Sequence, residues 1–125
     1  MAQLHKTVAL NYKDEKGRHL VVVIIPATAR VSVEKVAAAL GIPANKLKSA
    51  QPDFIRQQTG FVPGGIPPIG FEAKRLVDSS VFLHPWIIAG GGNNLNEYTK
   101  MDTAQLRELN PDLVEGSFQI TQENI

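Results

Sequence analysis

The segment TGFVPGGIPPIG, residues 59–70, constrains the fold of this chain more than any other stretch. It holds four glycines and three prolines in twelve positions. Proline lacks a backbone N–H and glycine loses the most conformational entropy on folding, so the segment can form neither a helix interior nor a regular strand. Aliphatic side chains and Phe61 run through it, which is not typical of a solvated linker. We therefore expect a stiff, partly buried loop with bare backbone at Gly64 and Gly65.

The composition is that of an ordinary globular chain. Its 125 residues are enough for one domain, 1–125, with a real core. No apolar run approaches the length of a membrane span, and the first ten residues lack the apolar region of a signal peptide, so we expect a cytoplasmic protein. The net charge is only +1, so contact with a nucleic acid must rely on a local basic patch. The candidates for such contacts are Lys6, Lys74, Arg75 and Lys100.

Hydrophobic periodicity predicts short strands and short helices. Residues 4–12 and 19–26 are β-rich runs separated by a polar turn with Gly17, which is typical of a hairpin. The stretch SVEKVAAALG predicts a helix capped by Ser32, and a second helix is expected at 52–58. Further short strands and one helix follow the Gly/Pro loop. Strands interrupted by short helices favour an α+β domain with a mixed sheet over a helical bundle or a sandwich.

The common catalytic patterns are missing from the sequence. There is no Cys, and His5, His19 and His84 show no paired spacing, so we expect no metal site. Ser79 and Ser80 lie close to His84, but neither serine stands in a G-x-S-x-G pattern. A serine hydrolase is therefore only a distant alternative. No phosphate-binding G-x-x-x-x-G-K-[ST] motif is present.

Two glycine loops and one lysine remain as candidates for a site. The loops at 64–70 and 90–92 each lie beside a predicted strand, and their bare backbone would let a ligand approach peptide N–H groups. Plain tight turns are the alternative. Lys6 lies inside the first strand, on the face that alternation gives to Leu4 and Val8. A lysine there must extend to solvent, pair with a carboxylate, or reach a polar cavity.

Several stretches, taken in order, resemble the YbaK/ProX aminoacyl-tRNA editing domain family. They are HKTVAL, VVVIIPATARVSVEKVAAALG, TGFVPGGIPPIG, LVDSS and the glycines at 90–92. The family comprises free-standing deacylases and the editing domain inserted in bacterial prolyl-tRNA synthetases. The resemblance covers nearly the whole chain and implies a mixed, barrel-like sheet flanked by short helices. Members commonly carry an N-terminal helix and strand before the K-T strand, and we expect this chain to lack them.

The resemblance also implies the residues of a pocket for the 3′ aminoacyl end of a mischarged tRNA. The essential lysine of the family's K-T motif falls on Lys6. The expected catalytic groups are Lys6, Gly65 and Gly91. The expected substrate-binding residues are Thr7, Thr59, Gly64, Ile66, Pro67, Pro68, Gly70, Asp78, Gly90, Gly92 and Asn93.

The function expected from this resemblance is hydrolysis of the ester bond of a mischarged aminoacyl-tRNA. The amino acid removed would be small, of the Ala or Cys type, from tRNA(Pro) or a similar tRNA, and a synthetase is a candidate second partner. An aminoacyl ester is already activated, so orientation, oxyanion stabilisation and a base for water suffice. We expect the free ribose hydroxyl to assist the water, without a cofactor. The alternative is a non-catalytic tRNA- or nucleotide-binding module of the same fold.

Overall fold

The computed structural model describes residues 3–61, 66–90 and 98–120. The strands in these ranges are β1 (His5–Asp14), β2 (Gly17–Pro26), β3 (Lys48–Ser49), β4 (Lys74–Asp78), β5 (Trp86–Gly90), β6 (Tyr98–Asp102) and β7 (Val114–Gly116). The helices are α1 (Val33–Leu40), α2 (Pro52–Thr59) and α3 (Thr103–Leu109), and short 3-10 turns cover Ala44–Lys46 and Ser79–Leu83. No helix in the described ranges is long and apolar enough to cross a membrane.

The predicted hairpin is the centre of the fold. β1 and β2 pair antiparallel from His5 opposite Pro26 to Asp14 opposite Gly17. Gly17 has a φ of +121°, a conformation that side chains with a Cβ rarely adopt, and it allows the tight turn between the strands. The run 20–25 in β2 is buried on both faces of the sheet, which explains why it is continuously apolar instead of alternating.

The mixed sheet expected from the sequence is confirmed. Its strand order is β3-β1-β2-β4-β7, with β2, β4 and β7 parallel to one another and β1 antiparallel to both neighbours. β5 and β6 form a separate antiparallel ribbon. A parallel bridge between Leu4 and Ile88 connects this ribbon to the chain just before β1. The expected barrel-like sheet is not a closed barrel, because β3 and β7 are the edges of the five-stranded sheet in the described part of the chain.

The five-stranded sheet separates two apolar cores. On one face, here called the α1 face, side chains from β1, β2 and β4 pack against Val36 and Ala37 of α1. On the other, here called the ribbon face, Ile24 and Val77 pack against side chains from the β5–β6 ribbon and α3. Both faces of the central strands are covered, so the strand ends are the parts of the sheet left for a ligand.

The local signals for α1 operate as the sequence predicts. The Ser32 side chain accepts a hydrogen bond from the Lys35 backbone N–H at 3.3 Å. Gly41 ends the helix in the left-handed conformation, with its N–H directed to carbonyl groups of the last turn. α2 extends one residue beyond the predicted range, to Thr59.

Candidate functional site

The strand register places four residues in one row across the sheet. Lys6 in β1 is opposite Ile25 in β2. The parallel register of β2 and β4 brings Asp78 next to Ile25, and Asp78 is in turn opposite Gly116 in β7. Three of these strands end at or next to this row, so the row lies along the strand ends at one side of the sheet and not along an edge strand.

Gly90 extends this row on the other side of Lys6. Leu4 and Ile88 form an isolated parallel bridge, so Lys6 and Gly90 each lie two residues beyond it, on neighbouring segments that run in the same direction. The row therefore follows the carboxyl ends of β2, β4, β5 and β7. In open α/β sheets, ligands bind outside the carboxyl ends of the strands. We call the row from Gly90 to Asp78 the Lys6 edge.

Lys6 has no bonding partner among the described residues. It is half-buried, and it lies on the side of β1 that carries Val8, as strand alternation predicts. No hydrogen bond or ion pair joins its ammonium group to another residue of the described ranges. Its three N–H donors can therefore all serve a ligand.

The opposite side of β1 carries two further polar groups at this edge, on His5 and Thr7. His5 is buried, its Nδ1 lies 2.8 Å from the Gln3 carbonyl oxygen, and its Nε2 has no partner among the described residues. The Thr7 hydroxyl oxygen is likewise buried and unpartnered in that part of the chain. Burial lowers the pKa of His5, so the ring is held neutral with Nε2 as a bare acceptor.

The sequence does not predict this environment of His5. The spacing of the three histidines predicts no pairing, whereas His5 and His84 meet edge to face with ring centroids 5.8 Å apart. The only signal in the sequence is that His5 and Thr7 are two residues apart on a strand and hence share a face.

Asp78 is a buried carboxylate whose oxygens are occupied by protein donors. It accepts hydrogen bonds from the Phe118 N–H at 2.9 Å, the Gln119 side-chain amide at 2.8 Å, and both the N–H and the hydroxyl of Ser80. Burial by itself would raise the pKa of Asp78, but these hydrogen bonds outweigh it and hold the pKa below the ordinary value. The contacts make Asp78 an ionised anchor that fastens residues 118–119 to the end of β4.

The described contacts do not support the serine hydrolase alternative. The Ser79 hydroxyl donates to the Gly116 carbonyl oxygen at 3.2 Å, and the Ser80 hydroxyl donates to Asp78. Neither serine is bonded to His84 within the described residues, so the nucleophile–base pair that this mechanism needs is missing there.

The described half of the Gly/Pro loop is partly buried, as its composition predicts. Ile66 and Pro68 are buried, Pro67 is half-buried, and Ile69 packs against the core on the ribbon face. Gly70 has a φ of +105°, which favours glycine at the point where the loop turns toward β4.

Thr59 closes the helix that precedes this loop. Its hydroxyl donates to the Ile55 carbonyl oxygen at 2.7 Å and accepts from the Phe61 N–H at 3.0 Å. The ring centroids of Phe61 and Phe71 are 6.3 Å apart, so the two ends of the loop lie close together.

The expected site residues fall into three groups. Lys6, Asp78 and Gly90 belong to the Lys6 edge, and Thr7 follows Lys6 on β1. The loop residues 66–70 precede β4 in the chain, and Ile69 packs beside Ile24 and Val77 in the core on the ribbon face. The remaining expected residues lie outside the described ranges: Gly64, Gly65, Gly91, Gly92 and Asn93.

The candidate basic residues are also separated. Lys74 and Arg75 begin β4, at the end remote from Lys6. Arg75 is buried and donates to the Asn110 side-chain oxygen at 2.8 Å and the Phe71 carbonyl oxygen at 3.0 Å, so it has a structural role. Lys100 lies on β6, opposite Ile88 and one pair away from Gly90.

Known proteins share both the sequence pattern and the fold. The sequence model of the aminoacyl-tRNA editing domain matches residues 2–109. Among solved structures, a proposed trans-editing enzyme for prolyl tRNA synthetase is 24% identical with a TM-score of 0.78, over 96% of this chain and 72% of that one. A scaffold protein for epitope grafting by computational design is 21% identical with a TM-score of 0.79, over 97% and 74%. A hypothetical protein is 21% identical with a TM-score of 0.78, over 95% and 75%. At these identities the solved structures establish the fold.

Proposed function

The chain belongs to the aminoacyl-tRNA editing domain family, and from that premise we propose that it hydrolyses the ester bond of a mischarged aminoacyl-tRNA. Editing of an aminoacyl-tRNA is the general function that membership indicates. The finer proposal is that the amino acid removed is small, of the Ala or Cys type, and that it is carried by tRNA(Pro) or a similar tRNA. A synthetase that delivers the tRNA is the proposed second partner.

The observation that carries the proposal is the position of Lys6 within the matched region. Lys6 is half-buried and has no partner in the described part of the chain, and it lies two residues beyond the bridge that joins Leu4 to Ile88, as Gly90 does on β5. An ammonium group beside a glycine backbone supplies a compact positive charge and nearby peptide N–H groups. Both are suited to an ester carbonyl that becomes an oxyanion.

The proposed reaction needs little chemistry from the protein. A water molecule attacks the ester carbonyl carbon, the bond from that carbon to the ribose oxygen breaks, and the ribose oxygen takes up a proton. The neighbouring free ribose hydroxyl orients the water and relays the proton. Peptide N–H groups of residues 64–65 or 90–92 hold the oxyanion, and one such donor is worth about 3 kcal/mol in the transition state. Lys6 binds the carbonyl oxygen or the adjacent phosphate.

The test is to incubate the protein with alanyl-tRNA(Pro) and cysteinyl-tRNA(Pro) and to follow release of the amino acid. Correctly charged prolyl-tRNA(Pro) serves as the matched control. We expect alanine or cysteine to be released faster than in buffer, while proline stays attached. Binding of all three tRNAs without release of any amino acid would instead favour the non-catalytic binding module.

A further inference from the structure

The β5–β6 ribbon has one face against the core and one face turned away from it. Ile87 and Met101 belong to the core on the ribbon face, and Ala89, on the same side of β5, is also buried. Because side chains alternate along a strand, the intervening residues point outward. They are Trp86, Ile88 and Gly90 on β5 and Tyr98, Lys100 and Asp102 on β6, and we call them the ribbon outer face.

Aromatic and cationic groups alternate along this face. Tyr98 is 61% exposed and lies opposite Gly90, Lys100 is exposed and lies opposite Ile88, and Trp86 occupies the far end. The Lys100 ammonium lies 4.6 Å from the centroid of the Trp86 ring. Four residues of strand separate the two ends, which gives a strip of about 13 Å.

The strip leads directly to the Lys6 edge. It ends at Gly90 and Tyr98, and Gly90 and Lys6 each lie two residues beyond the parallel bridge between Leu4 and Ile88. At the other end Asp102 lies opposite Trp86, and its carboxylate would repel a phosphate there. The attractive part of the strip therefore runs from Trp86 to the candidate pocket.

We propose that the ribbon outer face is a platform for the unpaired 3′ end of the tRNA substrate, which it guides toward the Lys6 edge. The inference rests on the proposed function. Aromatic side chains stack unpaired bases of any sequence, and a cation between them neutralises the intervening phosphate. Tyr98 and Trp86 each offer a ring for one base, and Lys100 lies between them.

Binding at this platform changes the surroundings of Trp86. The Lys100 ammonium covers one face of the indole, so a base that stacks there moves the ammonium toward the phosphate. Trp86 is the only tryptophan in the chain, so its fluorescence reports on this site alone.

The experiment is a fluorescence titration with uncharged tRNA(Pro) and with the same tRNA trimmed of its unpaired 3′ nucleotides. We expect the intact tRNA to quench Trp86 in a saturable way and the trimmed tRNA not to do so. Tyr98→Ala should weaken binding of the intact tRNA at least about fivefold, as expected for the loss of one stacked base. Lys100→Gln should weaken it and make it less sensitive to salt.

Lys74→Gln is the matched control for Lys100→Gln. The Lys74 ammonium also lies over an aromatic ring, 6.0 Å from the centroid of Tyr12, but at the remote end of β4. We expect this variant to bind tRNA within twofold of the unaltered protein. Equal quenching by trimmed tRNA, or equal loss of binding in the Lys74 and Lys100 variants, would overturn the platform.

Deacylation by the unaltered protein is measured separately, on the same tRNA in its mischarged form. Release of the amino acid without quenching that depends on the 3′ end contradicts the platform and leaves the proposed function standing. Quenching of Trp86 that depends on the 3′ end, without release of the amino acid, supports the platform and contradicts the hydrolytic function.

Discussion

Lys6 is a half-buried cation on a side of β1 that otherwise carries apolar residues such as Val8. An aliphatic residue would pack better there, because a partly desolvated ammonium group that has no partner among the described residues costs free energy. We therefore expect Lys6→Ala to leave the melting temperature unchanged or slightly raised. The same change should reduce deacylation of a mischarged tRNA at least about a hundredfold, as loss of one transition-state contact does. Thermal unfolding and single-turnover deacylation are the two measurements.

Two further variants sharpen this prediction. Lys6→Arg should not restore activity, because a planar guanidinium cannot replace the compact ammonium charge that we propose contacts the ester. Lys13→Ala removes an exposed lysine from the same strand and should leave both measurements unchanged. A Lys6→Ala protein that is unfolded, or one that deacylates normally, would contradict the assignment of Lys6.

Asp78 provides a second test at the residue scale, directed at stability. Asn keeps the shape and one acceptor oxygen, but its amide cannot accept the hydrogen bonds from Ser80 and Gln119 that the second oxygen receives. Loss of these contacts in a buried site should lower the free energy of unfolding at neutral pH by about 1–3 kcal/mol. Chemical denaturation of Asp78→Asn and of the unaltered protein gives the difference.

The lowered pKa of Asp78 adds a pH dependence of known sign. A carboxyl whose pKa is lower in the folded state stabilises that state above its ordinary pKa, and this stabilisation is lost as the pH falls through the folded-state value. The difference in unfolding free energy between the two proteins should therefore shrink below about pH 4. A difference that stays constant into strong acid would show that the ionised carboxylate is not the stabilising species.

At the scale of elements, local signals predicted local structure well. All the signals for α1 are local. Ser32 caps its N-terminus, Gly41 ends it, and the apolar spacing between them marks the buried face, so the helix is predicted correctly. The β1–β2 hairpin likewise needs only two neighbouring runs and the turn at Gly17. The expected mixed sheet is confirmed, and it is not a closed barrel, because β3 and β7 remain edge strands in the described part of the chain.

The candidate site was predictable only in its parts, for the same reason. Lys6 and Gly90 could each be singled out from the sequence, but their proximity depends on one bridge, between Leu4 and Ile88. The ribbon outer face could not be predicted from the sequence of either strand alone, because the register of β5 and β6 is what brings Trp86 and Lys100 together. The sequence pattern identifies the faces of single strands, whereas a binding site depends on the register between strands.

Strand β7 allows a prediction about packing at the sheet edge. A Cβ placed on Gly116 would lie 2.9 Å from the tip of the Phe118 ring, which is itself buried in the core on the α1 face. The ring cannot move without disturbing that core, so Gly116→Ala should destabilise the protein by about 1–3 kcal/mol. Val114→Ala, in the same strand at a partly exposed position, is the control and should cost clearly less. Equal stability of the two variants in denaturant would show that Phe118 is free to adjust.

At the scale of the whole molecule, the charge distribution determines how tRNA should bind. The net charge is +1, so no strong long-range field attracts a polyanion. Lys6 and Lys100 lie toward one end of the fold, while Lys74 and the buried Arg75 lie at the other end of β4. Of these four candidates, only Lys6 and Lys100 can therefore contact a tRNA 3′ end bound at the ribbon outer face.

Salt dependence measures how many phosphates are contacted, because each neutralised phosphate releases condensed counterions. For this protein, a plot of log affinity for tRNA against log salt concentration should have a shallow slope, equivalent to about two to four phosphates. Lys100→Gln should reduce the slope by about one phosphate equivalent, and Lys74→Gln should leave it unchanged. Binding that does not depend on salt concentration would show that the lysines do not contact phosphates of the tRNA. A slope near −10, as large basic interfaces show, would require many more phosphate contacts than Lys6 and Lys100 can make.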